Sequence, residues 1–237
     1  GFGKPRNPIL GMVGAGVVES IGKDVTAFKP GDNVFAYGSI SMSKIKWGFY
    51  GEYMCLPEDW NIAHKPENLT FAEATAIPYG TLLAMHVMEK AIIQPGQKVL
   101  IYGASGSIGT MAIQLAKHAG AEVTAVCSSR NFDMVTSLGA DKVIDYTRDD
   151  AITQLERYDW VLDTVGNTKT SPLKEASTTA LTANGQYLSV DKGMPTTSRD
   201  KFLRVKELAE QGVLKPIIDR CYSLDEMVEA HKYVETR

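Results

Sequence analysis

Lys98-Val-Leu-Ile-Tyr-Gly-Ala-Ser-Gly-Ser-Ile-Gly109, continuing to Val123-Thr-Ala-Val-Cys-Ser-Ser-Arg130, reads as an apolar strand, a glycine-rich turn, a helix and a second apolar strand. Gly106 lets a backbone approach a pyrophosphate, and Gly109 lets the helix pack tightly on the strand. The helix carries Ile108, Ala112, Leu115 and Ala119 on one face, so it can lie on a sheet. Its N-terminus then aims unpaired N–H groups and partial positive charge at the turn, which suits phosphate. The strict fingerprint has a further glycine where this chain has Ala104; here Gly103 stands one position earlier. Glycines alone are a weak signal, because any tight strand-to-helix turn uses them. With strand, helix and second strand around them, the stretch predicts a dinucleotide site.

The end of the second strand bears on which dinucleotide. An Asp or Glu about 20 residues on binds the ribose hydroxyls of NAD. Here the strand ends in Cys127, Ser128, Ser129 and Arg130, with no acid. Two hydroxyls and a guanidinium suit a 2′-phosphate, which Arg binds through paired hydrogen bonds. The other reading of Arg130 is a solvated side chain on an ordinary loop. The phosphate reading is preferred, and it predicts NADPH.

The chain has 237 residues and a formal charge of −3, room enough for two domains. The slight acidity gives no reason to expect nucleic acid or an anionic membrane. No apolar run reaches the ~20 residues that span a bilayer, and no signal peptide is visible. Cys55, Cys127 and Cys221 are scattered and odd in number, which excludes a disulfide framework and fits a reducing cytoplasm. His64, His86, His118 and His231 stand alone, and no metal-ligand spacing occurs.

From Lys98 onward strands and helices alternate. Strands are expected at 98–102, 123–127, 142–145, 159–163 and 186–190, and helices at 107–119, 131–138, around 149–157, 171–181 and 199–211. Such alternation is an α/β Rossmann fold with a doubly wound parallel sheet. Residues 9–37 differ: Gly16–Gly22 reads as a strand, Phe28–Val34 as a turn into another, and Gly51–Leu56 as a third. Short strands with close turns suggest a small barrel or sandwich. Residues 71–92 are helical in pattern, broken at Pro78. Lys215–Asp219 is extended, and Ser223-Leu-Asp-Glu226 is a capping box that opens a helix with Leu224, Met227, Val228 and His231 on one face.

Further motifs run the length of the chain: Leu10–Glu19, Val25-x-x-Phe28-x-x-Gly31-Asp32-x-Val34, Tyr50–Tyr53, Ala76-Ile-Pro78, Gln94–Leu100, Leu138–Tyr146, Asp163-Thr-Val-Gly166, Lys215–Asp219 and Glu229–Tyr233. Together with the glycine turn they resemble the medium-chain dehydrogenase/reductase superfamily, in its zinc-free quinone oxidoreductase-like branch. The resemblance implies a discontinuous GroES-like β-barrel catalytic domain (1–75 and 213–237) around a Rossmann domain (76–212). It also implies an active-site cleft between the domains and a homodimer or homotetramer. By position, Gly103, Ser105, Gly106, Ser107, Ile108 and Gly109 would cradle the pyrophosphate. Ser128, Ser129 and Arg130 would hold the 2′-phosphate. Tyr146 is either a further phosphate partner or an ordinary packed aromatic. Val165, Gly166, Ser189 and Val190 would meet the cofactor at other strand ends. Tyr50, Tyr53 and Tyr79 are the proton-donor candidates, and each reads more readily as cleft wall or core.

Departures from the family pattern also carry meaning. Zinc alcohol dehydrogenases have Gly-His-Glu where this chain has Gly11-Met12-Val13, and the four-cysteine zinc loop is missing. No metal is therefore expected. A Thr common after Ile-Pro is Leu83 here. Relatives carry roughly fifty to sixty more residues before Gly1, a short strand after Arg237, and a sixth strand in the region of 192–199. Those segments are expected to belong to the protein, since a barrel without its first strands would leave open edges. The implied activity is hydride transfer from NADPH to a small-molecule quinone, enone or aldehyde. A zinc-free carbonyl reductase or alcohol dehydrogenase and a non-catalytic NADPH-binding protein remain as alternatives.

Overall fold

The structure, a computed structural model, describes residues 9–38, 48–168, 170–192 and 197–236. The chain forms two compact units, Gly1–Pro78 with Pro216–Arg237, and Tyr79–Lys215. The expected divisions fell at 75/76 and 212/213. No described helix is long and apolar enough to cross a membrane.

The first unit holds a three-stranded antiparallel sheet, β1 (Val13–Val17), β2 (Asn33–Tyr37) and β3 (Ile62–His64), in that order. Phe28, Ala36 and Ile62 form its core with Val18, Val25, Val34, Phe49 and Leu56. Two expectations are corrected. The first strand is centred earlier than Gly16–Gly22, and Gly51–Leu56 is not a strand. The latter has no ladder partner among the described residues, and a strand persists only where a neighbour satisfies its backbone.

Helix α1 (Phe71–Ala76) starts at Thr70, where the reciprocal box with Glu73 forms: Thr70 N–H and Oγ1–H each donate to Glu73 Oε2 at 2.8 Å, and Glu73 N–H donates to Thr70 Oγ1 at 3.3 Å. The break at Pro78 stands as read, with α2 (Pro78–Met88) beginning on the proline. The Ser223–Glu226 box also forms, ahead of α7 (Met227–Glu235). The face expected inward there is corrected: Leu224, Val228 and His231 are exposed, while Met227, Ala230 and Tyr233 are half-buried.

The second unit is a five-stranded parallel sheet of β4 (Lys98–Tyr102), β5 (Glu122–Cys127), β6 (Lys142–Asp145), β7 (Tyr158–Asp163) and β8 (Leu181–Ser189), ordered β6-β5-β4-β7-β8. Strand order reverses at β4, so the crevice beyond its carboxyl end is the switch point where such sheets take ligands. Besides α2 from Tyr79 onward, it holds helices α3 (Ser107–His118), α4 (Phe132–Ser137), α5 (Pro172–Ser177) and α6 (Arg199–Glu210). In α3 the residues Gly109, Thr110, Met111, Ala112, Ile113, Gln114 and Ala116 are buried, more than the expected stripe, of which Ala112 is buried and Ile108, Leu115 and Ala119 are half-buried; Gly109 is the point of closest approach to the strand end.

The helix expected around 149–157 is only a 3₁₀ turn, Ala151–Gln154. The chain must extend by Leu155 so that Glu156 and Arg157 reach their partners across the sheet. Helix α5 stops at Ser177 rather than near 181: the hydroxyls of Ser177, Thr178 and Thr179 each donate to the carbonyl three residues back. Such competition with the helix ladder is usual for Ser and Thr. Strand β8 then begins at Leu181, earlier than the expected 186. Residues 193–196, within the region of the expected sixth strand, lie outside the described residues.

The amino ends of the strands are tied by charge. Glu156 pairs with Lys98 and, at 2.5 Å, with Lys142, whose ammonium also lies 2.9 Å from Glu122. Hydrogen bonds from Lys142 and Lys98 hold the Glu156 carboxyl down at about 2, and the same contacts raise Lys98 and Lys142. The Glu156 contribution is thus complete above its ordinary value of 4.5 and is lost as pH falls toward 2. The lysine contribution is complete below 10.5 and lost only in stronger alkali. Wild type is therefore expected to lose stability between pH 4.5 and 2 more steeply than Glu156→Gln, by urea unfolding at each pH. Parallel profiles for the two proteins would contradict this.

Candidate functional site

Strand β4 delivers the chain into the glycine turn. Gly103 has φ +81°, a conformation only glycine adopts without strain. A β-carbon there would also collide with the Val165 side chain and lie 2.9 Å from Thr164 Oγ1. This explains why the first glycine stands at 103, with Ala104 fully buried beside it. Gly103 and Ala104 N–H both donate to Val126 O, at 3.1 and 3.0 Å, tying the turn to β5.

Gly106 and Gly109 differ in kind. A β-carbon on Gly109 would sit 2.7 Å from Ala104 Cα and closer still to Gly103 O, so this glycine is required by the packing of α3 on β4. A β-carbon on Gly106 would meet only Gly103 O, at 3.4 Å. Its backbone is extended, φ −80° and ψ 170°, and any residue could adopt it. Packing therefore does not demand glycine at 106, whereas close approach of a ligand would. Gly106 is also the N-cap of α3 and, lacking a side chain, caps nothing. The first N–H groups of the helix are left for an anion. Gly80 on α2 abuts the Ser107 carbonyl, an approach that a side chain would block and that the sequence reading missed.

At the end of β5, Ser129 and Arg130 are exposed and Ser128 is half-buried. Among the described residues the Arg130 guanidinium has no hydrogen bond or ion pair, while Ser128 Oγ accepts from Asn131 Nδ2 at 3.2 Å. The turn is fixed from β6: Asp145 Oδ2 accepts Ser129 N–H at 3.2 Å, and its Oδ1 accepts Thr147 N–H at 2.9 Å and Thr147 Oγ1–H at 2.7 Å. Those hydrogen bonds, Thr147 first, hold the Asp145 carboxyl below its usual range. Sequence reading did not single out Asp145, whose role depends on strand register. Tyr146, directly after β6, is 47% exposed. The Cys127 thiol, pushed up to about 11 by burial, is a packed side chain and not a nucleophile.

On the other side of β4, strands β7 and β8 bring Val165, Gly166, Ser189 and Val190 to the same carboxyl edge. Val190 N–H donates to Asp163 O at 3.1 Å, and Ser189 Oγ accepts Asp191 N–H at 3.3 Å. Beneath them lies a charged group. Asp163, 1% exposed, accepts Val165 N–H at 3.0 Å and Gly166 N–H at 3.2 Å on Oδ1. Its Oδ2 accepts the Tyr187 hydroxyl at 2.7 Å and lies 3.0 Å from Lys174 Nζ. Lys174 is buried too and also donates to Gly166 O. Burial, then the bond to Asp163, pushes the Tyr187 hydroxyl well up, so it stays protonated.

The glycine turn, the Ser128–Arg130 end and the 165–166 and 189–190 ends thus share one edge of one sheet. The tyrosine candidates are not gathered there by this unit alone. Tyr50, 40% exposed, and Tyr53, 75% exposed, belong to the first unit, where Tyr50 packs edge-on to His231 at 6.1 Å. Tyr79 belongs to the second, half-buried on α2. Among the described residues no three His, Cys, Asp or Glu side chains are grouped to hold a metal ion.

Residues 107–214 match the family model described as zinc-binding dehydrogenase, and residues 2–67 the alcohol dehydrogenase GroES-like domain. The chain is 32% identical to 2-methylene-furan-3-one reductase of Solanum lycopersicum, over 98% of its own length and 62% of that protein's. It is 33% identical to the chloroplastic quinone-oxidoreductase QR1 of Triphysaria versicolor, over 91% of itself and 73% of the relative. The solved quinone oxidoreductase of Coxiella burnetii superposes with a TM-score of 0.80 at 27% identity, covering 96% of this chain and 75% of that one. The chain belongs to the medium-chain dehydrogenase/reductase superfamily, in its quinone oxidoreductase-like branch. It spans less than two thirds of the tomato reductase.

Proposed function

We propose that this chain is the cofactor-holding part of an NADPH-dependent reductase of quinones or α,β-unsaturated carbonyls, working without zinc. The observation that carries the reading is the pairing of an uncapped helix N-terminus at Gly106 with an uncommitted Arg130 at the next strand end. One suits a pyrophosphate and the other a 2′-phosphate. The substrate class is supported by the names of the tomato and Triphysaria relatives. Absence of zinc is supported by Met12, a thioether where zinc dehydrogenases place a ligand.

Bound in this site, a dihydronicotinamide supplies a hydride to an electron-poor carbon. The residues of the chain do the rest. The α3 N–H groups and Gly106 backbone hold the pyrophosphate. Ser128, Ser129 and Arg130 hold the 2′-phosphate with Tyr146 beside it. Val165 and Gly166 meet the nicotinamide half, and Ser189 and Val190 bound the same crevice. The proton needed to complete reduction comes from water or from one of Tyr50, Tyr53 and Tyr79.

The test is oxidation of NADPH by the full-length protein across a panel of quinones, enones and simple aldehydes. Turnover of quinones or enones, with zinc below one atom per chain by elemental analysis, is the expected result. Turnover of aldehydes alone would replace the substrate class with the carbonyl reductase reading. NADPH binding without any turnover would leave a non-catalytic protein, and one zinc per chain would overturn the metal-free mechanism.

A further inference from the structure

The buried Asp163–Lys174 pair lies directly under the strand end assigned above to the nicotinamide half of the dinucleotide. In a doubly wound sheet the dinucleotide straddles the switch point, here β4. Its adenosine half goes to the β5 end, the position that reads the ribose. The other half therefore lies toward β7, over Thr164, Val165 and Gly166.

That turn is gripped through its backbone by charged side chains. Asp163 takes the N–H groups of Val165 and Gly166, and Lys174 takes the Gly166 carbonyl while neutralising Asp163. Thr164 Oγ1–H reaches back to Tyr102 O at 2.8 Å and Gly103 O at 3.1 Å, joining the turn to the glycine loop. Gly166 itself has φ +64°, and a β-carbon there would lie 2.5 Å from an Asp191 carboxylate oxygen. A buried ion pair adds little stability over apolar residues of equal volume, so its use here points elsewhere than to the fold.

The geometry points to Lys174 as a positioning residue, which sets the 164–166 turn for the nicotinamide half of the cofactor through Asp163 and the Gly166 carbonyl. This rests on the dinucleotide reading above. Loss of the lysine frees the Gly166 carbonyl and leaves the Asp163 carboxylate without its cation. The adenosine half, held from β5 and β6, does not touch this group.

Two ligands separate the halves. NADPH carries both, and 2′,5′-ADP carries only the adenosine side with its 2′-phosphate. Titrations are made on wild type, Lys174→Met and the double variant Asp163→Asn/Lys174→Met, which removes both buried charges and so keeps a folded comparison if the single variant is unstable. In the folded variants NADPH is expected to weaken about tenfold, the loss of a charge-assisted hydrogen bond, with 2′,5′-ADP unchanged. Equal weakening of both ligands would reduce Lys174 to a structural role and overturn the proposal, as would unchanged NADPH affinity. Failure of wild type to bind either ligand would instead remove the dinucleotide reading, and this inference with it.

Discussion

Gly109→Ala is expected to lower the stability of the second unit, while Gly106→Ala leaves it intact and removes NADPH binding. The two substitutions add the same methyl group to neighbouring turns of one motif. At 109 the methyl falls 2.7 Å from Ala104 Cα and 2.8 Å from its carbonyl carbon, so α3 must move off β4. Overpacking of this kind costs roughly 1–3 kcal/mol, and Tm falls by about 2–4 °C for each. Gly109→Val enlarges both effects, and NADPH affinity falls with them because the N–H groups of α3 shift away from the phosphate. At 106 the nearest protein atom is Gly103 O at 3.4 Å, and the backbone suits any residue, so stability changes by less than about 0.5 kcal/mol. The methyl there occupies the side from which a pyrophosphate approaches. Thermal melts and NADPH titrations on the pair check this; equal Tm losses at 106 and 109 would contradict it.

Arg130→Ala is expected to weaken NADPH about tenfold and leave NADH unchanged. A hydrogen bond to a charged group contributes roughly 1.5–3 kcal/mol. The Arg130 side chain is exposed, so solvent and salt screen it toward the lower end of that range. The same exposure predicts that the wild-type preference for NADPH narrows as ionic strength rises. The fold should be untouched, since Arg130 makes no hydrogen bond or ion pair to a described residue. An equal loss for NADPH and NADH in Arg130→Ala would mean that the guanidinium serves something other than the 2′-phosphate.

The parallel sheet was readable in the sequence because β4 and β5 are apolar runs bounded by turns, and because alternation with helices leaves one architecture. The glycine turn was readable because each glycine answers a local backbone demand. What escaped depends on tertiary partners. Gly51–Leu56 has the composition of a strand and lacks, among the described residues, a neighbour to pair with. Residues 149–157 have helical spacing, yet Glu156 and Arg157 are drawn out toward Lys142 on β6 and Thr179 O in the turn before β8. The run Ser177-Thr-Thr179 ends α5 early by turning its hydroxyls on the helix carbonyls. In the site, Arg130 was visible as a missing acid. Asp145, Lys174 and Tyr187 were not, because each acts through a strand or helix brought beside it only by folding. An Asp with a Lys eleven residues on carries no signal of its own in sequence.

The central claim is that the crevice beyond β4 holds NADPH through its 2′-phosphate. The measurement that reaches it most directly is a paired fluorescence titration of the wild-type protein with NADPH and NADH at low ionic strength. NADPH binding tighter than NADH by about tenfold or more is the predicted result. Equal affinities, or a preference for NADH, would contradict it.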